Sequence, residues 1–370
     1  MNRDNLLPGK QTMGYKLLEL TAISGELPAN QLSRLSGGDS YKAAVITALK
    51  QKKLLTTYYR DSLRGYRLTG CAKLLLCERN PERFSFYLTG AVDTNHVRSE
   101  ITRRLRLHRI AETTITMMNA GVSVFRDEHP AVFAPIWDES IHIRSPSFFN
   151  SREIKELGTV FAKIRGARSV GVLLTENDIF AVYNLGDALM KWEYKSEMRT
   201  KALLKTVLCR ERLPEQYSPD SVKGLLFGNT MELAYDLLTN KGGQQYFILD
   251  GNYESFLFLS NDRKGEAVLK RLCHSELSRA LDEILVGDLE PAQPGLTIEN
   301  DAMEGGAPVL LCYFCDLPRI KRFHTALQLQ NKTGIIICFD YQAEPLRRYC
   351  GNIVKFQTID FEKWERRFFI

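Results

Sequence analysis

Residues 39–69 read DSYKAAVITALKQKKLLTTYYRDSLRGYRLT, and the fold of the N-terminal part turns on how they divide. In the first half, Ala44, Val45, Ala48 and Leu49 recur at helical spacing and predict a helix over 39–53 with one buried stripe. Asp39 or Ser40 is placed to cap it. LLTTYY and YRLT follow as extended runs. Thr57, Tyr58 and Tyr59 favour strand, and Asp61, Ser62 and Gly65 favour the turn between strands. Outward from this stretch, Tyr15, Leu17, Leu18, Leu20 and Ile23 predict a helix over 13–23 closed by Gly25. Pro28 opens a second helix at its first turn, Leu32 and Leu35 anchor it, and Gly37-Gly38 turns the chain into the third. Helices followed by a hairpin in this order make a winged helix-turn-helix.

Charge adds a function to that pattern. Between residues 41 and 73 stand Lys42, Lys50, Lys52, Lys53, Arg60, Arg64, Arg67 and Lys73 against Asp61 alone, while the whole chain carries only +6. Cations on a recognition helix and a wing are what a phosphate backbone requires. Ser40, Tyr41, Lys42 and Thr47 occupy the early helix that meets the major groove in such folds. Lys50, Lys52, Lys53, Arg60, Arg64 and Arg67 then serve the phosphates, with Arg60 and Arg64 at the wing tip. The competing reading is a protein-docking winged helix with solvated lysines. A second basic patch follows in a helix expected over 94–119, whose apolar stripe is Val97, Ile101, Leu105, His108, Ala111 and Ile115. Arg98, Arg103, Arg104, Arg106 and Arg109 lie on its other side with Glu100, either as an extension of a DNA footprint or as a solvated face. His108, on the apolar stripe, reads as a hydrogen-bonded core residue.

At 370 residues the chain has room for about two or three domains. The expected division is a winged-helix DNA-binding domain over 1–90, a helical connector over 91–165 and an α/β domain over 166–370. Apolar content of 44% and charged content of 25% are ordinary for a globular protein. No apolar run reaches the ~18 residues of a membrane span, and the polar start lacks a signal-peptide core, so a cytoplasmic protein with no membrane partner is expected. Eight cysteines sit mostly inside apolar runs and read as buried free thiols. Cys312 and Cys315 form a C-x-x-C inside an expected strand, where residues three apart point to opposite faces and make a poor metal clip. No metal and no cofactor is expected.

Past an irregular, proline-containing region over 120–146 and a short helix expected over 151–161, an α/β pattern begins. SVGVLL and IFAVYNL predict a hairpin turning at Glu176-Asn177-Asp178. A helix follows over 193–209, with Met198, Ala202, Leu203 and Val207 as its stripe, then the strand KGLLFG, the helix TMELAYDLLTN, and the strands QQYFILDG and ESFLFLS. Two helices, over 263–273 and 275–286, lead into a Gly-, Pro- and acid-rich loop over 287–308. The last 65 residues or so alternate strand and helix, beginning at PVLLCYFC, which implies parallel strands. The fold class is therefore α/β, an N-terminal winged helix-turn-helix followed by a mixed or parallel sheet domain.

A winged helix ending in YRLTGCAKLL, a helix carrying LRLHRIAETTITMMN and then an α/β domain resemble the replication-relaxation family of bacterial plasmids and integrative conjugative elements. The resemblance implies a duplex DNA-binding accessory protein of plasmid replication or conjugative mobilisation, with relaxase or replication proteins as partners and a possible homodimer. It also implies a restriction-endonuclease-like pattern over 166–370. Such a nuclease needs one acidic residue on a strand and a D/E-x-K on the next, to hold Mg²⁺ and orient water. Glu193-Tyr194-Lys195 has the spacing but falls at a helix start, and Asp178 lies in a turn, so the α/β domain is expected to be inactive and the chain to carry no catalytic residue. Glu193, Lys195 and Glu197 then read as helix-surface charges. Phosphate-loop, nucleophile-elbow and H-E-x-x-H motifs are absent from the sequence. A winged-helix transcriptional regulator and a metal-dependent nuclease are the alternatives.

Overall fold

Helix α1 (Met13–Ser24) opens under a Thr12 cap, whose side chain accepts from the Tyr15 amide, and closes at Gly25 with φ 83. The structure is a computed structural model that describes residues 6–158, 168–240, 249, 253–293 and 297–369. Strand β1 (Leu27–Pro28) follows directly, and Pro28 lies in it rather than opening a helix. The expected second helix is a 3₁₀ turn, Ala29–Arg34. Helix α2 (Asp39–Gln51) is capped by Gly38, not by a side chain. Strands β2 (Leu55–Arg60) and β3 (Leu63–Leu68) form the expected hairpin. Asp61 and Ser62 both hold positive φ, at 52 and 60, which gives a two-residue turn matched to strand twist. The three strands make an antiparallel sheet in the order β1-β3-β2.

The buried face of α2 keeps Leu49, and in part Val45, from the expected stripe but not its two alanines. Lys42, Ile46 and Leu49 face inward, whereas Ala44 and Ala48 are exposed. Ile46 removes more apolar surface from water than an alanine can, so the helix turns that side to the core.

Helix α4 (Pro81–Leu88) packs beside α1, and α3 (Gly70–Arg79) packs on α4. Helix α5 (Ile101–Asn119) starts at Ile101 rather than Thr94. The residues before it are held otherwise: Thr94 is buried, its hydroxyl donates to the Tyr87 carbonyl at 2.5 Å, and its Cα lies 2.9 Å from where a Cβ on Gly25 would stand. The later half of the expected stripe holds, with His108, Ala111 and Ile115 buried, and the earlier half does not. Ile101 and Leu105 are exposed, and Arg104, Leu107, His108 and Ile110 are buried.

Two five-stranded sheets complete the chain. The first runs β4 (Ser147–Asn150), β5 (Gly171–Leu174), β6 (Ile179–Gly186), β7 (Val222–Gly228) and β8 (Phe256–Ser260) in that spatial order. β4, β5 and β6 pair antiparallel; β6, β7 and β8 pair parallel through α6 (Tyr194–Thr206) and α7 (Glu232–Thr239). After α8 (Arg263–Leu272) and α9 (Ser275–Val286), the second sheet repeats the plan. β9 (Glu290–Pro291), β10 (Ala302–Glu304) and β11 (Ala307–Leu311) are antiparallel. β11 then pairs parallel with β12 (Gly334–Phe339) and β12 with β13 (Val354–Ile359), through α10 (Leu317–Gln330) and α11 (Asp340–Cys350); α12 (Phe361–Phe369) closes the chain. Equivalent helices meet across the two units: α7 packs on α11, and Arg263 of α8 pairs with Glu365 of α12.

The mixed α/β character and the final parallel strands agree with the sequence reading. β4, β9 and β10 were not expected, the last two lying within the presumed loop. Ile154–Leu157 is a 3₁₀ turn at the start of the helix expected over 151–161, whose end lies outside the described residues, as does most of the strand QQYFILDG. On α6, Met198 is exposed and Glu197 is buried, the reverse of expectation. Cys312 and Cys315 lie past β11 in a turn rather than in the strand, Cys315 with φ 50 and its amide donating to the Cys312 carbonyl at 2.8 Å.

Candidate nucleic-acid interface

Glu26 organises the N-terminal module. Its carboxylate is wholly buried and accepts from Arg104 Nη2 at 2.6 Å, Arg67 Nε at 2.8 Å and His108 Nε2 at 2.8 Å. Burial alone would raise its pKa, yet these hydrogen bonds outweigh it and hold the group down at about 2. Arg104 also donates to the Arg60 and Leu63 carbonyls, at 2.8 and 3.0 Å, so one guanidinium fastens the hairpin turn to α5. Gly65 makes the approach possible: a Cβ there would stand 2.6 Å from Glu26 Cγ. Arg67 stacks over the Tyr58 ring at 3.7 Å.

This network removes three expected contacts. Arg104 is fully buried, and Arg67 is mostly so, with both pairing Glu26; neither faces an external phosphate. Lys42 is buried as well, its Nζ donating to the Leu35 carbonyl at 3.2 Å and pairing with Asp39 at 3.0 Å. Charge counting along a sequence presumes that every cation is solvated, and these three have internal partners. Lys73, from the same count, is taken up by Asn95.

The remaining cations stay outside. Lys50, Lys52 and Lys53 are exposed at the end of α2 and just beyond it, and Arg60 and Arg64 are exposed on the hairpin. Arg60 pairs with its neighbour Asp61 at 3.5 Å. Arg64 sits opposite Tyr59 one pair back from the tip. Thr47, Lys50 and Arg64 line one groove, of about 440 Å³, between α2, the 3₁₀ turn and β3. Ser40 and Tyr41 are exposed at the start of α2, and the solvent face between them and Lys50 is built of Ala43, Ala44, Thr47 and Ala48. Tyr59, at 68% exposure, extends beside Arg64; its place in an extended run of β-formers carried no signal of that.

Arg103 and Arg106 are exposed too, but helical spacing turns them away from Arg104. They line a separate cleft with Arg98, Arg152 and Lys155. Arg152 and Lys155 follow β4 and are about fifty residues from Arg103 and Arg106 in the chain, so no local pattern points to them.

The nuclease candidates do not assemble. Glu193 is the residue before α6 and Lys195 lies in its first turn, both exposed and on no strand. Glu197 is buried and accepts from the Tyr183 hydroxyl at 2.8 Å. Asp178 pairs with Lys223 at 2.8 Å on the wall of a cavity of about 480 Å³ between the two sheets. Two further acids of that wall are also engaged, Asp316 by Ser255 at 2.7 Å and Asp282 by the Tyr313 hydroxyl, while Glu176 is exposed. Among the described residues no three His, Cys, Asp or Glu side chains are grouped to hold a metal, and no helix is long and apolar enough to cross a membrane. Comparison with protein-family models, with curated proteins and with solved structures found no match for the chain.

Proposed function

We propose that the chain is a duplex DNA-binding protein that docks through α2 and the β2–β3 hairpin as a winged helix. The observation that carries this reading is the groove where Lys50 and Arg64, from two different elements, flank Thr47 with no internal partner taking up either charge among the described residues. The low profile of Ala43, Ala44 and Ala48 supports it, since a helix face of small side chains seats closely in a major groove while lysines at its end reach the phosphates. In the replication-relaxation reading the chain is an accessory of a mobile element, acting with a relaxase or replication protein in plasmid replication or conjugative mobilisation.

Fluorescence anisotropy of a labelled duplex titrated with the full chain across a salt series tests the proposal. Salt-sensitive binding is expected. Lys50→Ala and Arg64→Ala each flatten the slope of log K against log salt by about 0.9, the value of one phosphate contact. Lys42→Ala leaves the slope unchanged, because its ammonium is spent on Leu35 and Asp39. Absent or salt-independent binding, or parental slopes in both exposed-cation variants, overturns the reading.

A further inference from the structure

The cleft on the far side of α5 is a concave cluster of like charge. Arg98, Arg103, Arg106, Arg152 and Lys155 converge on about 160 Å³. Asp93 is the one carboxylate among the residues that line it. Arg103 is engaged by Glu100 at 2.7 Å; the other four have no ion pair among the described residues. Two polar atoms are buried here without a hydrogen-bond partner among the described residues, Arg152 Nη1 and Ser151 Oγ. The Ser151-Arg152 turn itself is firmly built: Asn150 Oδ1 accepts the Arg152 amide at 3.0 Å, and Asn150 Nδ2 donates to the buried Tyr87 hydroxyl at 2.9 Å. Leu107 and Ile110 form an apolar floor, both buried.

A guanidinium nitrogen buried without an acceptor is costly, and crowding other cations beside it adds to the cost. Burial, together with repulsion from Arg106, lowers the pKa of Arg152 to about 10, against the pull of Asp93. Burial likewise lowers Arg106 and Lys155, although both still reach solvent at the cleft mouth, which limits the effect. An arrangement of this kind is relieved by one compact anion. The planar fork of an arginine and the point charge of a lysine suit tetrahedral oxygens. The volume of about 160 Å³ leaves room for a phosphate group.

We infer that this cleft binds a single phosphate group, held by Arg152, Arg106, Arg98 and Lys155 with Ser151 donating to one of its oxygens. The inference is independent of duplex binding by α2 and the hairpin. The phosphate comes either from a small phosphorylated molecule or from a nucleic acid, and the chemistry at the cleft is the same.

Isothermal titration of the full chain with inorganic phosphate, against chloride at matched ionic strength, tests the site. Saturable phosphate binding is expected, weakened about tenfold or more by Arg152→Gln, Arg98→Ala or Lys155→Ala, each of which removes a charge-assisted hydrogen bond. Arg98 and Lys155 are exposed, so those variants keep the test valid if Arg152→Gln folds poorly. Lys50→Ala and Arg64→Ala leave phosphate binding unchanged, which separates this site from the proposed duplex surface. The source is read with a nucleoside monophosphate and with one oligonucleotide bearing or lacking a 5′-phosphate. A 5′-phosphate preference lost in Arg152→Gln assigns a nucleic-acid end; tight monophosphate binding without that preference assigns a small molecule. Phosphate heats no larger than those of chloride, or equal phosphate affinity in parent and all three variants, overturns the inference.

Discussion

Replacing Glu26 by glutamine removes one negative charge from a site that is closed to solvent. Glu26 and Arg104 are both 0% exposed, and the carboxylate takes hydrogen bonds from Arg104, Arg67 and His108. Two routes give the magnitude. The carboxyl pKa falls from 4.5 to about 2 on folding, and that shift is worth about 3 kcal/mol to the folded state at neutral pH. Independently, leaving one member of a buried ion pair without its partner costs about 3–5 kcal/mol. Because the folded-state pKa is the lower one, this stability is complete above about pH 4.5 and is lost as the pH falls towards 2. Glutamine does not titrate, so Glu26→Gln lacks the contribution at every pH. Urea unfolding followed by circular dichroism at pH 7 is expected to show a loss of about 3 kcal/mol at unchanged m, and a thermal melt a fall of about 4 °C for a chain of 370 residues. The gap between parent and variant narrows as the pH drops below 4.5. A loss under about 1 kcal/mol, or a gap that stays constant with pH, refutes the claim that this carboxylate holds the hairpin to α5 as an ion.

Further expectations follow from neighbouring contacts. Gly65→Ala pushes a methyl group into Glu26 Cγ, 2.6 Å away, and its stability loss is expected to vanish in the Glu26→Ala background, since the two share one clash in a double-mutant cycle. Lys42→Ala lowers stability by about 1–3 kcal/mol in urea by stranding the Leu35 carbonyl, which Nζ serves at 3.2 Å. Arg34→Ala removes donors to Glu266, to Asn261 at 3.0 Å and to Thr116 at 2.8 Å, and raises hydrogen exchange in the 3₁₀ turn and at the start of α8 without altering exchange in β12. Asp61→Gly relieves positive φ at the hairpin turn and stabilises the chain by about 0.5–1 kcal/mol in a thermal melt, where a loss of stability denies the strain.

What was legible in the sequence had a local cause. GIIICF and VLL are short continuous apolar runs separated by an amphipathic helix, and they emerge as neighbouring parallel strands. The hairpin of β5 and β6 was readable because Glu176-Asn177-Asp178 interrupts two such runs. The missed strands β9 and β10 have two and three residues, too short for any alternation to register. Charge was the larger failure. Arg104 finds its carboxylate 78 positions away and Lys42 finds a carbonyl in the preceding turn, so neither pairing leaves a trace in local composition. The cleft of Arg98, Arg106, Arg152 and Lys155 has the same origin: a loop after β4 meets a helix from a different part of the chain. A sequence count saw one arginine patch on this helix, and only the fold divides it into Arg104, neutralised inside by Glu26, and Arg103 and Arg106, which line the outer cleft.

That division follows from where α5 lies. In an open α/β sheet, ligands settle outside the carboxyl ends of parallel strands. Here those ends of β6, β7 and β8 carry Asn184, Asn229 and Asn261, and the crevice they border is already filled. Asn184 Nδ2 donates to the Arg109 carbonyl of α5 at 3.3 Å, and Asn261 Oδ1 accepts from Thr116 at 2.7 Å and from Arg34 at 3.0 Å. One helix thus takes the sheet's usual ligand position along one side, fixes the hairpin through Arg104 along a second, and presents Arg103 and Arg106 along a third. Burial of the first two sides holds α5 in place, and that fixed position lets like charges on the third remain close together. A cationic cleft on a mobile element would spread apart and solvate; on α5 it persists, and this is why an anion is the partner that its geometry calls for.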